Sequence, residues 1–123
     1  MSDINSWRDL KAWQVAHELV LKTYSLTQDF PSGERFRLTD QLCRTAASIP
    51  TNIAEGKGRS STKEYLHFLS IARGSVEEVS YLLLLARDLS YLPESTYVEM
   101  STRYSEVGRM LNGLIRSLKQ NLR

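Results

Sequence analysis

The sequence is poor in cysteine, proline and glycine, and each shortage excludes a class of protein. Its one cysteine, Cys43, rules out an intramolecular disulfide and a multi-cysteine zinc site, and it suits a reducing cytoplasm. Three prolines and six glycines among 123 residues are too few for a β-sandwich, which needs a turn every ~8–12 residues. No apolar run approaches the ~18–20 residues that span a bilayer, and Met1 to Asn5 lack the features of a signal peptide. We therefore expect a cytoplasmic protein without a membrane segment.

Side chains that carry catalysis or bind metals are also sparse. The two histidines, His17 and His67, form neither a His-Glu-x-x-His motif nor paired Glu-x-x-His motifs, so we expect no metal and no other cofactor. His17 falls on an apolar stripe, and we expect it to pack in the core. Cys43 has no nearby histidine, which favours a small buried residue over a nucleophile. Residues 56–61 resemble a phosphate loop but lack the Walker spacing, and we predict no enzymatic activity. This segment is either a glycine turn before a capped helix or a site where Lys57, Arg59 and the start of the third helix hold a phosphate.

What the sequence does contain is helical periodicity. Apolar residues at steps of three and four predict helices over residues 7–29, 36–55, 61–90 and 94–120 of a single domain. Connections of about three to six residues force neighbouring helices to run antiparallel. We therefore predict an all-α protein, an up-down-up-down four-helix bundle.

The first and last helices carry the clearest apolar patterns. Two neighbouring stripes give the first helix a wide apolar face, one with Leu10, Trp13, His17, Val20 and Tyr24, the other with Ala12, Ala16, Leu19, Thr23 and Leu26. The fourth helix has a heptad seam, formed by Tyr97, Met100, Tyr104, Val107, Leu111, Leu114 and Leu118.

Local signals predict where the helices start, stop and bend. Ser6 begins a pattern that resembles a capping box, and Ser61 with Glu64 forms a capping box for the third helix. Gly56 is well placed for a left-handed cap at the end of the second helix. Pro50 removes the hydrogen bond to the carbonyl of Ala46, so we expect a bend within the turn before it.

The second helix carries a polar stripe beside its apolar one. Two amides, one hydroxyl, one arginine and one glutamate recur there at steps of three and four, in Gln41, Arg44, Ser48, Asn52 and Glu55. Such groups suit fixed hydrogen bonds better than do the lysines and glutamates that are typical of a solvated helix face. The stripe is either a solvated surface or a polar seam that bonds another helix or subunit.

The third helix contains more apolar surface than one bundle core needs. Residues 81–86 form an unbroken apolar run, whose leucines sweep most of the helix circumference. Gly74, Gly108 and Gly113 lie within helices, where close helix approach usually offsets their cost of about 1 kcal/mol. The alternative is a densely packed monomer that leaves a leucine partly exposed, but the apolar run favours self-association. The candidate oligomer interface comprises Gln41, Ser48, Asn52, Glu55, Leu82, Leu84 and Leu85.

Charge is segregated along the chain, although the formal net charge is only +2. Residues 35–63 carry six Lys/Arg against two Asp/Glu, and residues 103–123 carry five against one, whereas residues 64–102 carry two against six. This pattern favours an anionic partner, or helices that pair acidic with basic faces. The candidate nucleic-acid-binding cations are Arg35, Arg37, Arg44, Lys57, Arg59, Lys63, Arg103, Arg109, Arg116, Lys119 and Arg123.

Several stretches resemble one bacterial family. They are residues 7–14, Phe30-Pro31, residues 41–44 and above all Ser48-Ile49-Pro50-Thr51-Asn52-Ile53-Ala54-Glu55-Gly56-Lys57-Gly58-Arg59. On these residues the chain resembles the four-helix bundle proteins encoded in intervening sequences of 23S ribosomal RNA genes. The resemblance implies a ring-like homopentamer. The family is also similar to the accessory variability protein of diversity-generating retroelements, a basic pentamer that binds nucleic acid and a reverse transcriptase.

Two functions follow as hypotheses. The first is a non-enzymatic oligomer that binds RNA or DNA mainly through phosphate contacts, because no base-reading motif is present. The second is a protein-interaction scaffold for a partner enzyme such as a reverse transcriptase, in which the segregated charges pair with protein.

Overall fold

The chain folds into four α-helices in a computed structural model that describes residues 6–122. The helices are α1 (Lys11–Thr27), α2 (Leu38–Lys57), α3 (Thr62–Asp88) and α4 (Glu94–Gln120). Short 3-10 helices, Trp7–Asp9 and Ser32–Glu34, precede α1 and α2. Residues 6–122 contain no β-strand, which confirms the all-α prediction.

The helices surround one core in which each helix touches two others. α2 packs against α1 and α3, and α4 packs against α3 and α1. Across the described chain, no Cα atom of α1 comes within 8 Å of one in α3, and the same holds for α2 and α4. The largest fully buried side chains come from all four helices and include Leu19, Leu42, Ile49, Ile53, Leu69, Leu83, Met100, Tyr104 and Leu111.

The first helix begins later than its sequence pattern predicts. Ser6 caps the 3-10 helix instead, because its Oγ accepts the backbone N–H of Arg8 at 3.1 Å. Leu10 then adopts an extended conformation, with φ −76° and ψ 126°, and separates this turn from α1. The Gln14 side chain ties the two together by donating to the Arg8 carbonyl at 3.0 Å.

One of the two apolar stripes of α1 is buried in the core, and the other is buried only in part: Leu10 belongs to the core, and Trp13 and Val20 pack against its edge. Ala12, Ala16, Leu19 and Thr23 are buried, whereas His17 and Tyr24 of the other stripe are exposed. The small side chains of the buried stripe let α1 approach its neighbours closely, and Thr23 contributes a hydrogen bond of 2.7 Å to the Tyr104 hydroxyl. The prediction that His17 packs in the core is therefore wrong.

Gly56 serves close packing instead of a left-handed cap. α2 continues past it to Lys57, and no glycine in residues 6–122 has a positive φ. A β-carbon at Gly56 would lie 2.9 Å from Phe68 Cβ and 2.9 Å from Tyr65 Cδ1. Glycine is needed there because the end of α2 and the first turns of α3 almost touch. The described chain has its one positive φ outside glycine at Ser90, 67°, in the α3–α4 connection.

The other local signals differ in their outcome. Ser61 is the N-cap of α3, as predicted, since its Oγ accepts the Glu64 backbone N–H at 3.1 Å. α2 runs through Pro50 without interruption. Beside the proline, the Thr51 hydroxyl donates to the Ala47 carbonyl at 2.8 Å and the Asn52 amide donates to the Ser48 carbonyl at 2.8 Å. The bend at Pro50 stays a prediction.

Much of the apolar run of α3 is absorbed by the chain's own core. Leu82 is only 3% exposed and Leu83 is fully buried. The prediction that Leu82 belongs to the oligomer interface is therefore wrong, because its side chain packs in the core of its own chain. Leu84 and Leu85 are half-buried, and Tyr81 is 59% exposed. Two of the helical glycines have no close approach within the described chain, because a β-carbon at Gly74 or Gly113 would meet nothing within 4 Å.

Candidate nucleic-acid interface

The α2–α3 connection gathers three of the predicted cations, Lys57, Arg59 and Lys63. Arg59 and Lys63 line a surface hollow of about 400 Å³, together with Glu64, His67 and Phe68. The Arg59 guanidinium lies 4.7 Å from the centre of the Phe68 ring and donates to Glu55 at 2.9 Å. We call the hollow lined by Arg59, Lys63, Glu64, His67 and Phe68 the basic hollow.

The remaining predicted cations are dispersed. Arg35 and Arg37 lie between Glu34 and the start of α2, whose 20 residues span about 30 Å and separate them from Arg59. A further set lies along α4 and comprises Arg103, Arg109, Arg116 and Lys119. Arg123 lies outside the described residues. A single chain therefore has one local group of cations and several scattered ones.

Three of the predicted cations are already paired with carboxylates. Arg44 contacts Asp40 at 3.1 Å, Arg59 contacts Glu55 at 2.9 Å, and Arg103 lies 3.9 Å from Glu106. These pairs are exposed or partly exposed, so each contributes at most about 1 kcal/mol. The predicted cations that form no ion pair within residues 6–122 are Arg35, Arg37, Lys57, Lys63, Arg109, Arg116 and Lys119.

An open groove of about 750 Å³ lies between α1 and α2, and the sequence did not predict it. One wall is a row of aromatic rings: Trp7 and Trp13 have centroids 4.7 Å apart, and Trp13 and His17 stack at 5.0 Å with only 8° between their planes. The opposite wall is α2, which contributes the small or compact side chains Ala47, Pro50, Thr51 and Ala54. We call this the aromatic groove.

Arg59 connects the aromatic groove to the basic hollow, because it lines both. Glu55 and Gly58 lie beside it in the lining of the groove. A second guanidinium, that of Arg8, lies 4.1 Å from the centre of the Trp7 ring. The sequence signal was the four-residue spacing of Trp13 and His17, which places both on one helical face. It was interpreted as core because the same face looks apolar throughout.

Two residues of the polar stripe of α2, Gln41 and Ser48, form hydrogen bonds with α3 of the same chain. The Gln41 amide and the Thr45 hydroxyl donate to Glu78 at 3.3 and 3.0 Å, and the Ser48 hydroxyl lies 2.6 Å from Ser75 Oγ. The order of these contacts is opposite on the two helices. Gln41 and Thr45 of α2 contact Glu78 of α3, whereas Ser48, later in α2, contacts Ser75, earlier in α3. Gln41 and Ser48 of the stripe therefore form an intramolecular polar seam with α3, together with Thr45 beside them. Arg44, Asn52 and Glu55 bond instead to Asp40, the Ser48 carbonyl and Arg59. The role of the stripe between subunits stays a prediction.

The buried reactive groups lie in the core and not in either surface site. Burial raises the pKa of Tyr104 to about 12, and its hydroxyl also donates to the Leu19 carbonyl at 3.3 Å. Cys43 is buried beside Thr27, with 3.4 Å between Sγ and Oγ1. Within residues 6–122, no group of three or more His, Cys, Asp or Glu side chains is placed to hold a metal ion.

None of the helices in residues 6–122 combines the length and the apolar character needed to cross a membrane. Comparison with curated proteins finds no significant match. Among solved structures, the chain is similar to a protein of unknown function from the S23 ribosomal protein family of Bacteroides thetaiotaomicron. The two share 22% identity and a TM-score of 0.80, over 85% of this chain and 95% of the other, which shows a common fold.

A family model described as 23S rRNA-intervening sequence protein matches residues 8–113. The match spans all of α1, α2 and α3 and most of α4. It includes the segment from Ser48 to Arg59, on which the resemblance rested, and it confirms that resemblance. The chain belongs to the 23S rRNA-intervening sequence protein family.

Proposed function

We propose that this chain is a non-enzymatic, cytoplasmic protein that assembles into oligomers and binds nucleic acid through its phosphates. The observation that carries the proposal is the set of seven predicted cations without a carboxylate partner in residues 6–122. Six of the seven are exposed and Lys57 is half-buried. Exposed, unpaired cations are the groups that a polyanion neutralises, with release of its own counterions.

Oligomerisation would turn scattered cations into a continuous surface. We propose an up-down-up-down bundle, supported by the opposite order of contacts along α2 and α3, that assembles as a homopentamer. Support for assembly comes from Tyr81, which is 59% exposed on α3, and from the open space around Gly74 on the same helix. Five copies would place the basic hollow at five positions around a ring, each beside a neighbour.

The test of nucleic-acid binding is a salt titration with labelled single-stranded and duplex RNA and DNA. Binding should weaken steeply with salt, with a slope on logarithmic axes of about −0.7 to −0.9 for each phosphate contact. Lys63→Ala should reduce the magnitude of that slope. Lys22→Ala on α1 is the matched control, because Lys22 is equally exposed but lies outside the predicted set. The proposal fails if the wild-type protein binds none of these probes at low salt.

A second function, a scaffold for a partner enzyme such as a reverse transcriptase, has its own support. The acidic segment 64–102 exposes large apolar side chains, among them Tyr81, Leu89 and Val98. Apolar groups surrounded by carboxylates suit a basic protein surface better than nucleic acid. Capture of a partner from the native cell that persists after nuclease treatment would support the scaffold, and loss of the partner with nuclease would support the first function.

A further inference from the structure

We infer that the aromatic groove binds an unpaired nucleobase, so that this protein selects single-stranded over duplex nucleic acid. The inference rests on the proposed function, because the basic hollow supplies the adjoining phosphate contacts. It goes further by assigning a base-binding role to Trp7, Trp13 and His17.

The aromatic row already has the geometry of stacked bases. Trp13 and His17 lie nearly parallel, 8° apart, with their centroids at 5.0 Å. His17 is exposed, so a base can continue the stack on the ring face that Trp13 does not cover. Stacking of this kind is sequence-tolerant, because every base has a π face.

The opposite wall leaves room for the base. Ala47, Pro50 and Ala54 of α2 carry short or compact side chains, and the groove volume of about 750 Å³ falls within the ~300–1,000 Å³ typical of sites for small ligands. A base paired inside a duplex cannot enter, since both of its faces are already stacked. The groove therefore requires an unpaired base.

Charge at the groove suits a nucleotide better than an apolar peptide. Arg8 lies over the Trp7 ring, and Arg59 lies at the junction with the basic hollow. The carboxylate at the groove, Glu55, is paired with Arg59 at 2.9 Å, so it adds no unpaired negative charge. A strand with its base in the groove would thus pass close to the Arg8 guanidinium and to the basic hollow.

The chain offers an internal probe, because both of its tryptophans line the groove. Full-length protein is titrated at low salt with a labelled single strand, with a strand of equal length whose bases are replaced by abasic sites, and with a duplex. The two strands share their phosphates and differ only in their bases. Tryptophan fluorescence and the label are followed together, for the wild type, His17→Ala and Tyr24→Ala. Tyr24 is the matched control, an exposed aromatic residue on α1 outside the groove.

We expect the wild type to bind the base-containing strand at least about fivefold more tightly than the abasic strand or the duplex, with tryptophan quenching by the base-containing strand alone. His17→Ala should lose most of this difference, and Tyr24→Ala should keep it. Equal binding of both strands without quenching overturns the inference and leaves phosphate binding standing. Binding of no probe at all overturns both. Because quenching is measured on the wild type, the test does not depend on the stability of a variant.

Discussion

Two glycines that look alike in the sequence should respond in opposite ways to alanine. Gly56 lies near the end of α2 and Gly74 lies within α3, both in helical conformation. Helix propensity alone predicts that each glycine-to-alanine change stabilises the fold by about 1 kcal/mol. The surroundings of the two residues separate them.

At Gly74 the added methyl group meets no atom within 4 Å, so the full gain of about 1 kcal/mol should appear. At Gly56 the methyl group would lie 2.9 Å from Phe68 Cβ and 3.2 Å from the Tyr65 carbonyl oxygen. Both atoms belong to or adjoin the backbone of α3, so they cannot rotate away. Overpacking of this kind costs about 1–3 kcal/mol, which cancels or exceeds the gain in propensity.

Urea unfolding of both variants at one protein concentration, followed by far-UV circular dichroism, measures the difference. Gly74→Ala should raise the midpoint and the melting temperature, by about 4 °C per kcal/mol for a domain of this size. Gly56→Ala should leave them unchanged or lower them. If both variants were stabilised equally, the close approach of α2 and α3 at Gly56 would be wrong. A stabilised Gly74→Ala variant that no longer assembles would place Gly74 in a subunit contact.

Three further predictions use other parts of the structure. Because burial raises the pKa of Tyr104 to about 12 from 10, the folded state holds the proton more tightly, and stability should fall as pH rises from 10 to 12; the fall should be shallower in Tyr104→Phe when unfolding is measured across that range. Ser61→Ala should reduce the free energy of unfolding by about 1 kcal/mol, because the Glu64 N–H loses its acceptor at the start of α3; Ser60→Ala, which changes a neighbouring exposed serine, is the control. Light scattering of the wild type should give five times 14.1 kDa. Leu84→Glu or Leu85→Glu should lower that mass while helical content persists, and a wild-type monomer at all concentrations would refute the assembly.

The sequence predicts the helices well where one signal dominates. The cap at Ser61 and the seam of α4 each depend on a single pattern, and the structure buries Met100, Tyr104, Val107 and Leu111 of that seam. A capping serine or a three-four repeat acts within a few residues of its own position. Such signals need no knowledge of what lies across the core.

Prediction from the sequence fails where a local pattern allows two structures equally well and tertiary packing decides between them. Both stripes of α1 are apolar, and the alanines of one stripe allow a closer approach to the core than the rings of the other. The ring of Trp13 is consequently only partly buried and His17 is exposed, and together with Trp7 they line the aromatic groove. Gly56 is similar, because a glycine near a helix end suits both a left-handed cap and a close contact. The positions of Tyr65 and Phe68 on α3, nine and twelve residues away, select the contact.

The segment from Ser48 to Arg59, which carries the family resemblance, presents three different surfaces. Its apolar positions Ile49 and Ile53 are fully buried in the core. On a second side Ser48 meets Ser75 of α3, and on a third side Pro50 and its neighbours form a wall of the aromatic groove. Replacements on the two packed sides are costly, because they disturb the core or the contact with α3. The core and the seam with α3 account for two of these sides by stability alone. Within residues 6–122 no other element covers the wall of the groove, and this third side is where the proposed nucleobase would lie.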